Sequence, residues 1–156
     1  FDNLTEENIY VLDSPILTNS QFRKFKKFFS KKIKVIDCTF DISSSLKDRI
    51  EEIREEAETS VREGSTCLIL SDKNITNQKA SIPSILVVGA VHSHLVKLGL
   101  RGYCSLNVEC SDALDTHSFA VLIGVGATTV NPYLAIDCIF LSGFFPNQFN
   151  ILESIE

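Results

Sequence analysis

Four polar side chains lie where the predicted strands of this chain end: Asp37, Asp72, Glu109 and Asn131. In folds built from parallel strands, the carboxyl ends share one edge of the sheet, and ligands bind there. Carboxylates at such an edge bind a metal ion or act as acid and base. The alternative is that polar residues simply end strands and begin loops. We favour this alternative because no basic or histidine partner recurs at these positions. We therefore assign no catalytic, cofactor-binding or metal-binding residue. The strand-end rim remains a candidate site formed by Asp72, Glu109 and Asn131.

The histidines form a second candidate site for a metal ion. His92 and His94 are close in sequence, and His117 lies on a different predicted helix. Residues two apart on a helix point to nearly opposite sides, whereas a zinc pair on a helix needs a spacing of four residues. We therefore expect one of the pair to pack and hydrogen-bond inside and the other to lie at the surface.

The cysteines are odd in number and irregularly spaced, and several lie in apolar runs. This pattern is typical of buried free thiols in a reducing compartment and not of a disulfide framework. Cys104 and Cys110 share one face of a predicted strand, but a zinc or iron–sulfur site needs further ligands at short spacing. Core thiols are the favoured interpretation.

The segment Gly124-Val-Gly126 lies between a predicted helix and a predicted strand. Phosphate-binding loops have the opposite order, because the amides at the start of the following helix hold the anion. We therefore interpret this segment as a helix end.

The stretch 22–34 combines phenylalanine and lysine, and Phe22, Phe25 and Phe29 fall on one helical face. A basic amphipathic helix of this kind binds a membrane surface or an acidic partner, or docks on its own domain with the basic face solvated. We favour docking, with the acidic face of the next helix, 51–58, as counter-charge. An adaptor that docks a partner through helix 22–34 is the alternative.

Strand and helix patterns alternate along the rest of the chain. The alternation predicts a parallel sheet with right-handed crossovers. A complete eight-unit barrel needs ~250 residues, so an open sheet and a partial barrel both fit. The predicted elements are a helix capped by Thr18 or Ser20, a β-rich run over 33–40, a helix capped within the cluster Ser43–Ser45 and ending at Gly64, a strand over 66–70, a helix from Ser81 to Gly99, a strand over 103–109, a helix from Asp112 or Asp115 to Gly124 or Gly126, a strand over 127–130 and a helix from Pro132 towards Phe140.

Composition indicates one globular domain over 1–156. Hydrophobic residues make up 44% and charged residues 22%, which excludes a disordered chain. The net charge of −5 argues against nucleic acid as the main partner. The longest apolar run, 85–91, is far shorter than the ~20 residues that span a bilayer. The absence of methionine, even at position 1, predicts that Phe1 is an internal residue of a longer protein.

Ordered motifs extend over nearly the whole chain. They are Ser14-Pro-Ile-Leu17, Leu70-Ser-Asp-Lys73, Ile82-Pro-Ser-Ile-Leu-Val-Val-Gly-Ala-Val-His-Ser-His-Leu95, Gly99-Leu-Arg101, Ser105-Leu-Asn-Val-Glu109, His117-Ser-Phe-Ala-Val-Leu-Ile-Gly-Val-Gly-Ala127 and Val130-Asn-Pro-Tyr-Leu-Ala135. Together these motifs resemble the central domain of the glutamate synthase large subunit, in both its ferredoxin-dependent and NAD(P)H-dependent types. The sequence differs from the family pattern at Ser93, Leu114 and Ser118.

The resemblance implies an α/β unit like a rudimentary TIM barrel, corresponding to the later part of that central domain. It implies a scaffold role, joining a glutaminase domain to a domain with FMN and a 3Fe-4S cluster, without cofactor or catalytic residues in this segment. The parent would be an oxidoreductase acting on CH–NH2 donors in the cytoplasm or the plastid stroma, with other domains of the same enzyme as partners and neither nucleic acid nor membrane. The alternative is a stand-alone half-barrel that binds a small anion or a flavin at the rim.

Overall fold

Strands and helices alternate along residues 10–142, which are the residues that the computed structural model describes. Short turns join them, and a single 3₁₀ turn, Arg101–Tyr103, precedes the fifth strand. The elements are α1 (Asn19–Phe28), β1 (Ile33–Asp37), β2 (Thr39–Asp41), α2 (Leu46–Arg62), β3 (Cys67–Ser71), β4 (Lys79–Ser81), α3 (Ser84–Lys97), β5 (Ser105–Glu109), α4 (Thr116–Gly124), β6 (Thr129–Asn131) and α5 (Tyr133–Leu141).

Local capping sets the start of three helices, as the sequence predicts. Thr18 begins α1 with a capping box, in which its hydroxyl accepts from the Gln21 amide while the Gln21 side chain accepts from the Thr18 amide. The side chains of Ser45 and Asp115 accept from amides in the first turns of α2 and α4 in the same way. Of the two aspartates considered for α4, the structure selects Asp115.

Four strands form one parallel sheet in the order β1-β3-β5-β6. Helices α2, α3 and α4 provide the three connections between successive strands of this sheet. Beyond β6, Ile16 makes a single parallel bridge to Val130. The predicted α/β class, with parallel strands alternating with helices, is therefore confirmed, and the arrangement is consistent with a partial barrel-like unit.

The two faces of the sheet carry separate apolar clusters. On the outer face, strand residues such as Leu68 and Val108 pack with Ile53 of α2, Val88 of α3 and Leu122 of α4. On the inner face, the cluster is smaller and is built around α1. Because a parallel sheet is buried on both sides, α1 supplies the cover that the outer helices do not.

Helix α1 docks on the inner face through its phenylalanines. Phe22 and Phe25 are buried against Leu17, Cys67 and Ile69. The docking predicted for the stretch 22–34 is therefore confirmed.

The predicted end of the helix is wrong, and the predicted counter-charge holds only for Lys34. The helix ends at Phe28, and Lys34 belongs to β1. Lys34 pairs with Glu56 of α2. Lys26 of α1 forms its ion pair with Glu109 of β5 instead. The helix crosses the inner face of the sheet whereas α2 covers the outer face, so the sheet separates Lys26 from the acidic face 51–58.

Two short strands lie outside the main sheet and were not predicted. The β-rich run over 33–40 divides at Cys38, and its second part, β2, pairs antiparallel with β4. Ser81, the predicted N-cap of α3, lies in β4 instead. The residue before a proline is held in the extended region, so Ile82 before Pro83 prolongs the extended backbone and the helix starts at Ser84. Asp112 accepts from the Ser84 amide and hydroxyl and takes over the capping role.

Gly126 confirms the predicted helix end after α4. It has a positive φ of 121°, and a Cβ placed on it would overlap the ring of His92. Within the described part of the chain, no helix is both long enough and apolar enough to cross a membrane.

Gly126→Ala should lower the free energy of unfolding by about 2–4 kcal/mol, because it adds backbone strain and a clash with His92. Two glycines serve as controls. Gly64→Ala meets open space at a positive φ and should cost only the strain, about 1–2 kcal/mol. Gly89→Ala lies within α3 with open space around it and should stabilise by about 1 kcal/mol. Urea unfolding measures all three, and equal costs for Gly126→Ala and Gly64→Ala would contradict the close approach of His92.

Candidate functional site at the carboxyl edge of the sheet

A row of four polar residues crosses the sheet at the carboxyl end of its strands. Asp37 of β1 is in register with Ser71 of β3, Ser71 with Glu109 of β5, and Glu109 with Asn131 of β6. Residues in register on neighbouring strands share a face, and the preceding residue of each strand belongs to the outer cluster. We call these four residues the strand-end row; it faces the same side as α1.

Glu109 is the centre of this row, and only 4% of it is exposed. Its Oε1 lies 3.0 Å from the Nζ of Lys26 and 3.0 Å from the Nζ of Lys73. Its Oε2 accepts a hydrogen bond of 2.8 Å from the hydroxyl of Ser71. Burial alone would raise the pKa of Glu109, but the hydrogen bonds from Lys73, Ser71 and Lys26 outweigh it and lower the pKa. Glu109 is therefore an ionised carboxylate held by two ammonium groups.

The expectation that these strand ends lack a basic partner is wrong. Lys73 is the second residue after β3, so the sequence could have placed it at this edge. Lys26 comes from α1, 83 residues away in sequence, and only the docking of α1 reveals it. Helical spacing within α1 also places Lys26 over the ring of Phe22.

Asp72 lies at the same edge, but its hydrogen bonds are separate from those of Glu109. Its Oδ2 accepts from the amide and the hydroxyl of Ser111, at 2.8 and 2.6 Å. Burial, and then the nearby charge of Asp72, raise the pKa of Tyr133 to about 12. Asp72 thus ties the end of β3 to the loop after β5 and keeps the phenol of Tyr133 neutral.

Asn131 connects the edge to the start of α1. Its side-chain amide donates to the carbonyl of Leu17 and to Oδ1 of Asn19, both at 2.9 Å. Asn19 in turn donates to Asp137 of α5 at 2.7 Å. The amide therefore links β6, α1 and α5.

Asp37 completes the row with local contacts. Its carboxylate accepts from the amide and the hydroxyl of Thr39. Burial opposes ionisation, but the hydrogen bonds from Thr39 and Asn74 dominate and lower its pKa. Four carboxylate and amide groups thus lie at one edge, but each forms hydrogen bonds with its own partners. The four groups belong to Asp37, Asp72, Glu109 and Asn131.

The inner face below the row is also polar where it is buried. Asn107 is fully buried, and it donates to the carbonyl of Leu68 and to Ser105 while accepting from the hydroxyl of Thr129. Such a satisfied network fixes the pairing of β3, β5 and β6.

The histidines are separated by the structure. His92 accepts from Nε of Arg101 at 3.2 Å, whereas His94 lies 2.9 Å from Glu58 of α2. Both are half-buried, so the expectation of one inside and one at the surface is wrong; each packs against a different element. His117 lines a shallow cavity of about 230 Å³ with Ser84 and Asp112. Across residues 10–142, no group of three histidine, cysteine, aspartate or glutamate side chains is placed to hold a metal ion.

The cysteines are free, as predicted, and all but Cys138 are buried. Burial raises the pKa of Cys67 to about 11 and that of Cys110 to about 12, so these thiols stay protonated. Cys104 and Cys110 both belong to the outer apolar cluster.

Arg101 is a structural residue that the sequence analysis did not single out. Its guanidinium donates to the carbonyls of Cys104 and Gly126, at 2.6 and 2.8 Å, in addition to His92. These bonds clamp the loops at the amino edge of the sheet, opposite the strand-end row.

The fold and its polar edge define a class: a parallel α/β domain, consistent with a partial barrel, whose strand-end side chains are hydrogen-bonded within the domain. The chain belongs to the glutamate synthase central domain family, since the family model described as "Glutamate synthase central domain" matches residues 2–150.

Curated relatives agree with this assignment. The NADPH glutamate synthase large chain of Azospirillum brasilense is 46% identical over 138 residues, covering 86% of this chain and 9% of the relative. The corresponding large chain of Bacillus subtilis is 38% identical over 124 residues, covering 80% and 8%. The chloroplastic ferredoxin-dependent glutamate synthase of Spinacia oleracea is 37% identical over 133 residues, covering 81% and 8%. The chain therefore spans less than a tenth of the length of these relatives.

Glu109→Gln should lower the free energy of unfolding by about 2 kcal/mol at pH 7, because it removes the charge that Lys26 and Lys73 bind. Since the folded-state pKa of Glu109 is lowered, its ionised form stabilises the fold above the ordinary glutamate pKa. This contribution is lost as the pH falls through the lowered value. The difference between wild type and variant should therefore be largest at neutral pH and shrink in acid, as measured by urea unfolding across that range.

Glu55→Gln, at an exposed position of α2, is the matched control and should change stability by less than about 0.5 kcal/mol. A Glu109→Gln effect that stays constant into acid would contradict the ionised contact.

Proposed function

We propose that this chain is a linking domain of a glutamate synthase and corresponds to the later part of the central domain. In the parent enzyme it would join the glutaminase domain to the FMN domain, while the parent converts glutamine, 2-oxoglutarate and two electrons into two molecules of glutamate. One observation carries the proposal: the family match covers 2–150, whereas the chain is less than a tenth of the length of its relatives.

The hydrogen bonding of the carboxyl edge supports a role without chemistry of its own. Glu109 is held by lysines and a serine, Asp72 by Ser111, and Asn131 by the start of α1. A general base needs a free, positioned acceptor, and Oε1 and Oε2 of Glu109 and Oδ2 of Asp72 are engaged within the domain. Oδ1 of Asp72 has no hydrogen-bond partner among the described residues, but it is buried away from solvent. In this proposal the segment holds no cofactor, and FMN and the 3Fe-4S cluster belong to other domains of the parent.

Helix α5 supports the joining role because much of its apolar surface is uncovered. Leu134, Ile139, Phe140 and Leu141 are exposed, Leu141 to 88%. Single exposed apolar residues are ordinary, but a group on one short helix marks an interaction surface. The partners proposed for it are the other domains of the same enzyme, not nucleic acid or a membrane, in a reducing compartment that keeps the thiols free.

Replacing Ile139 and Phe140 together by aspartate in the parent enzyme should reduce glutamine-dependent glutamate formation at least fivefold. Glutamine hydrolysis by itself should change less than twofold, because the proposal places the catalytic groups in other domains and only their coupling depends on α5. Both rates are measured on the purified parent.

Val96→Asp provides the control, since Val96 is an exposed apolar residue of α3 outside the proposed docking surface. If the α5 variant remains folded and couples the two reactions as well as the Val96 variant does, α5 is not the joining surface.

A further inference from the structure

Two ammonium groups meet at one carboxylate oxygen of the carboxyl edge. The Nζ atoms of Lys26 and Lys73 each lie 3.0 Å from Oε1 of Glu109. We propose that this edge binds a small oxyanion, a carboxylate or a phosphate, between Lys26 and Lys73. This site goes beyond the linking role and does not depend on it.

The two lysines retain donors for such a ligand. An ammonium group has three N–H donors, and the shared contact with Glu109 uses one from each lysine. The side chain of Lys26 is 34% exposed and that of Lys73 is 49% exposed, whereas Glu109 is buried beneath them. A solute that approaches this edge therefore meets the ammonium groups before the carboxylate.

The charged groups at this edge differ in how deeply they are buried. Glu109 and Asp72 balance the two lysines in number, but both carboxylates are buried, and Oδ2 of Asp72 is occupied by Ser111. Asp37, the third carboxylate of the edge, is half-buried and bound by Thr39. Around Glu109 the exposed charges are therefore the two ammonium groups, and the outward face there is cationic.

The start of α5 adds to this positive character. Lys73 lies over the ring of Tyr133, the first residue of α5, with 5.0 Å between Nζ and the ring centroid. The first turn of α5 has no side-chain cap, unlike that of α4, which Asp115 caps. Uncapped amides and the positive end of the helix dipole favour an anion, and Lys73 holds its ammonium group beside them.

These features determine the ligand class. Two neighbouring ammonium groups can bind two oxygens of the same anion. Lysine binds such groups as a point charge and does not need the planar geometry that arginine requires. Carboxylate and phosphate share this chemistry, so the experiment includes one of each.

The test is the melting temperature of the full chain, titrated with inorganic phosphate and, separately, with succinate at constant ionic strength and pH 7. Binding to the folded state should raise the melting temperature saturably with at least one of the two anions. Lys26→Gln and Lys73→Gln should each weaken the apparent Kd at least fivefold. The anion with the lower Kd shows whether the site prefers a phosphate or a carboxylate.

Lys97→Gln is the matched control, because Lys97 lies in the last turn of α3, at the amino edge of the parallel sheet. It should leave the apparent Kd unchanged. If neither anion stabilises the wild type saturably, or if the Lys73 variant titrates like the Lys97 variant, the lysines serve only Glu109 and the proposal is overturned. Lys73 is half-exposed, so this comparison holds even if the Lys26 variant fails to fold.

The Glu109→Gln variant provides an independent test of the anion site. It removes the internal anion that competes for the two ammonium groups, so the apparent Kd for the bound oxyanion should fall at least threefold. An unchanged or higher Kd in a folded Glu109 variant would show that no competition exists and would count against the site. None of these outcomes bears on the linking role, which is tested through α5 in the parent enzyme.

Discussion

A buried carboxylate stays ionised only if nearby positive charges and hydrogen-bond donors replace the water that burial removes. Glu109 meets this requirement with Lys26, Lys73 and Ser71. Each partner comes from a different part of the chain: from α1, from the segment after β3 and from β3 itself. The contacts that stabilise the charge of Glu109 therefore fix the position of α1 relative to β3 and β5.

The rest of the inner face follows from the same requirement. Alternation along β5 and β6 sends apolar residues to the outer helices and polar residues to the face of α1. By contrast, β3 places Cys67 and Ile69 on the inner face, where α1 packs on them. Asn107 and Asn131 are buried there, and both are hydrogen-bonded across strands or to the start of α1. A polar inner face is tolerated because its groups are paired, and the pairing specifies the register of β3, β5 and β6. The outer face, by contrast, is held by ordinary apolar packing.

This division has consequences for function. A domain that uses its strand-end side chains to bind its own elements is suited to hold a shape, and the exposed apolar surface of α5 suits it to join other domains. The two exposed lysines above Glu109 are the part of the edge that still faces outward. The amino edge, where Arg101 joins the loops, contributes to stability and lies opposite the strand-end row.

The sequence by itself determined the class of fold and most of its elements, because periodicity, capping and helix ends are local properties. Thr18, Ser45 and Asp115 cap helices as their positions predict, and Gly126 adopts the positive φ expected after a helix. Family motifs indicated the central-domain family to which the chain belongs. The exception was the antiparallel pair β2 and β4, of three residues each, which lies outside the alternation of strands and helices.

Only the tertiary structure decided which side chains meet at the carboxyl edge. The positions of Asp72, Glu109 and Asn131 at strand ends followed from the parallel topology, but their partners did not. Lys26 reaches Glu109 across 83 residues, and Asn131 reaches Leu17 across 114. Such contacts depend on which face of the sheet a helix covers. That choice is made by the burial of Phe22 and Phe25 against the inner strands, which no local pattern encodes.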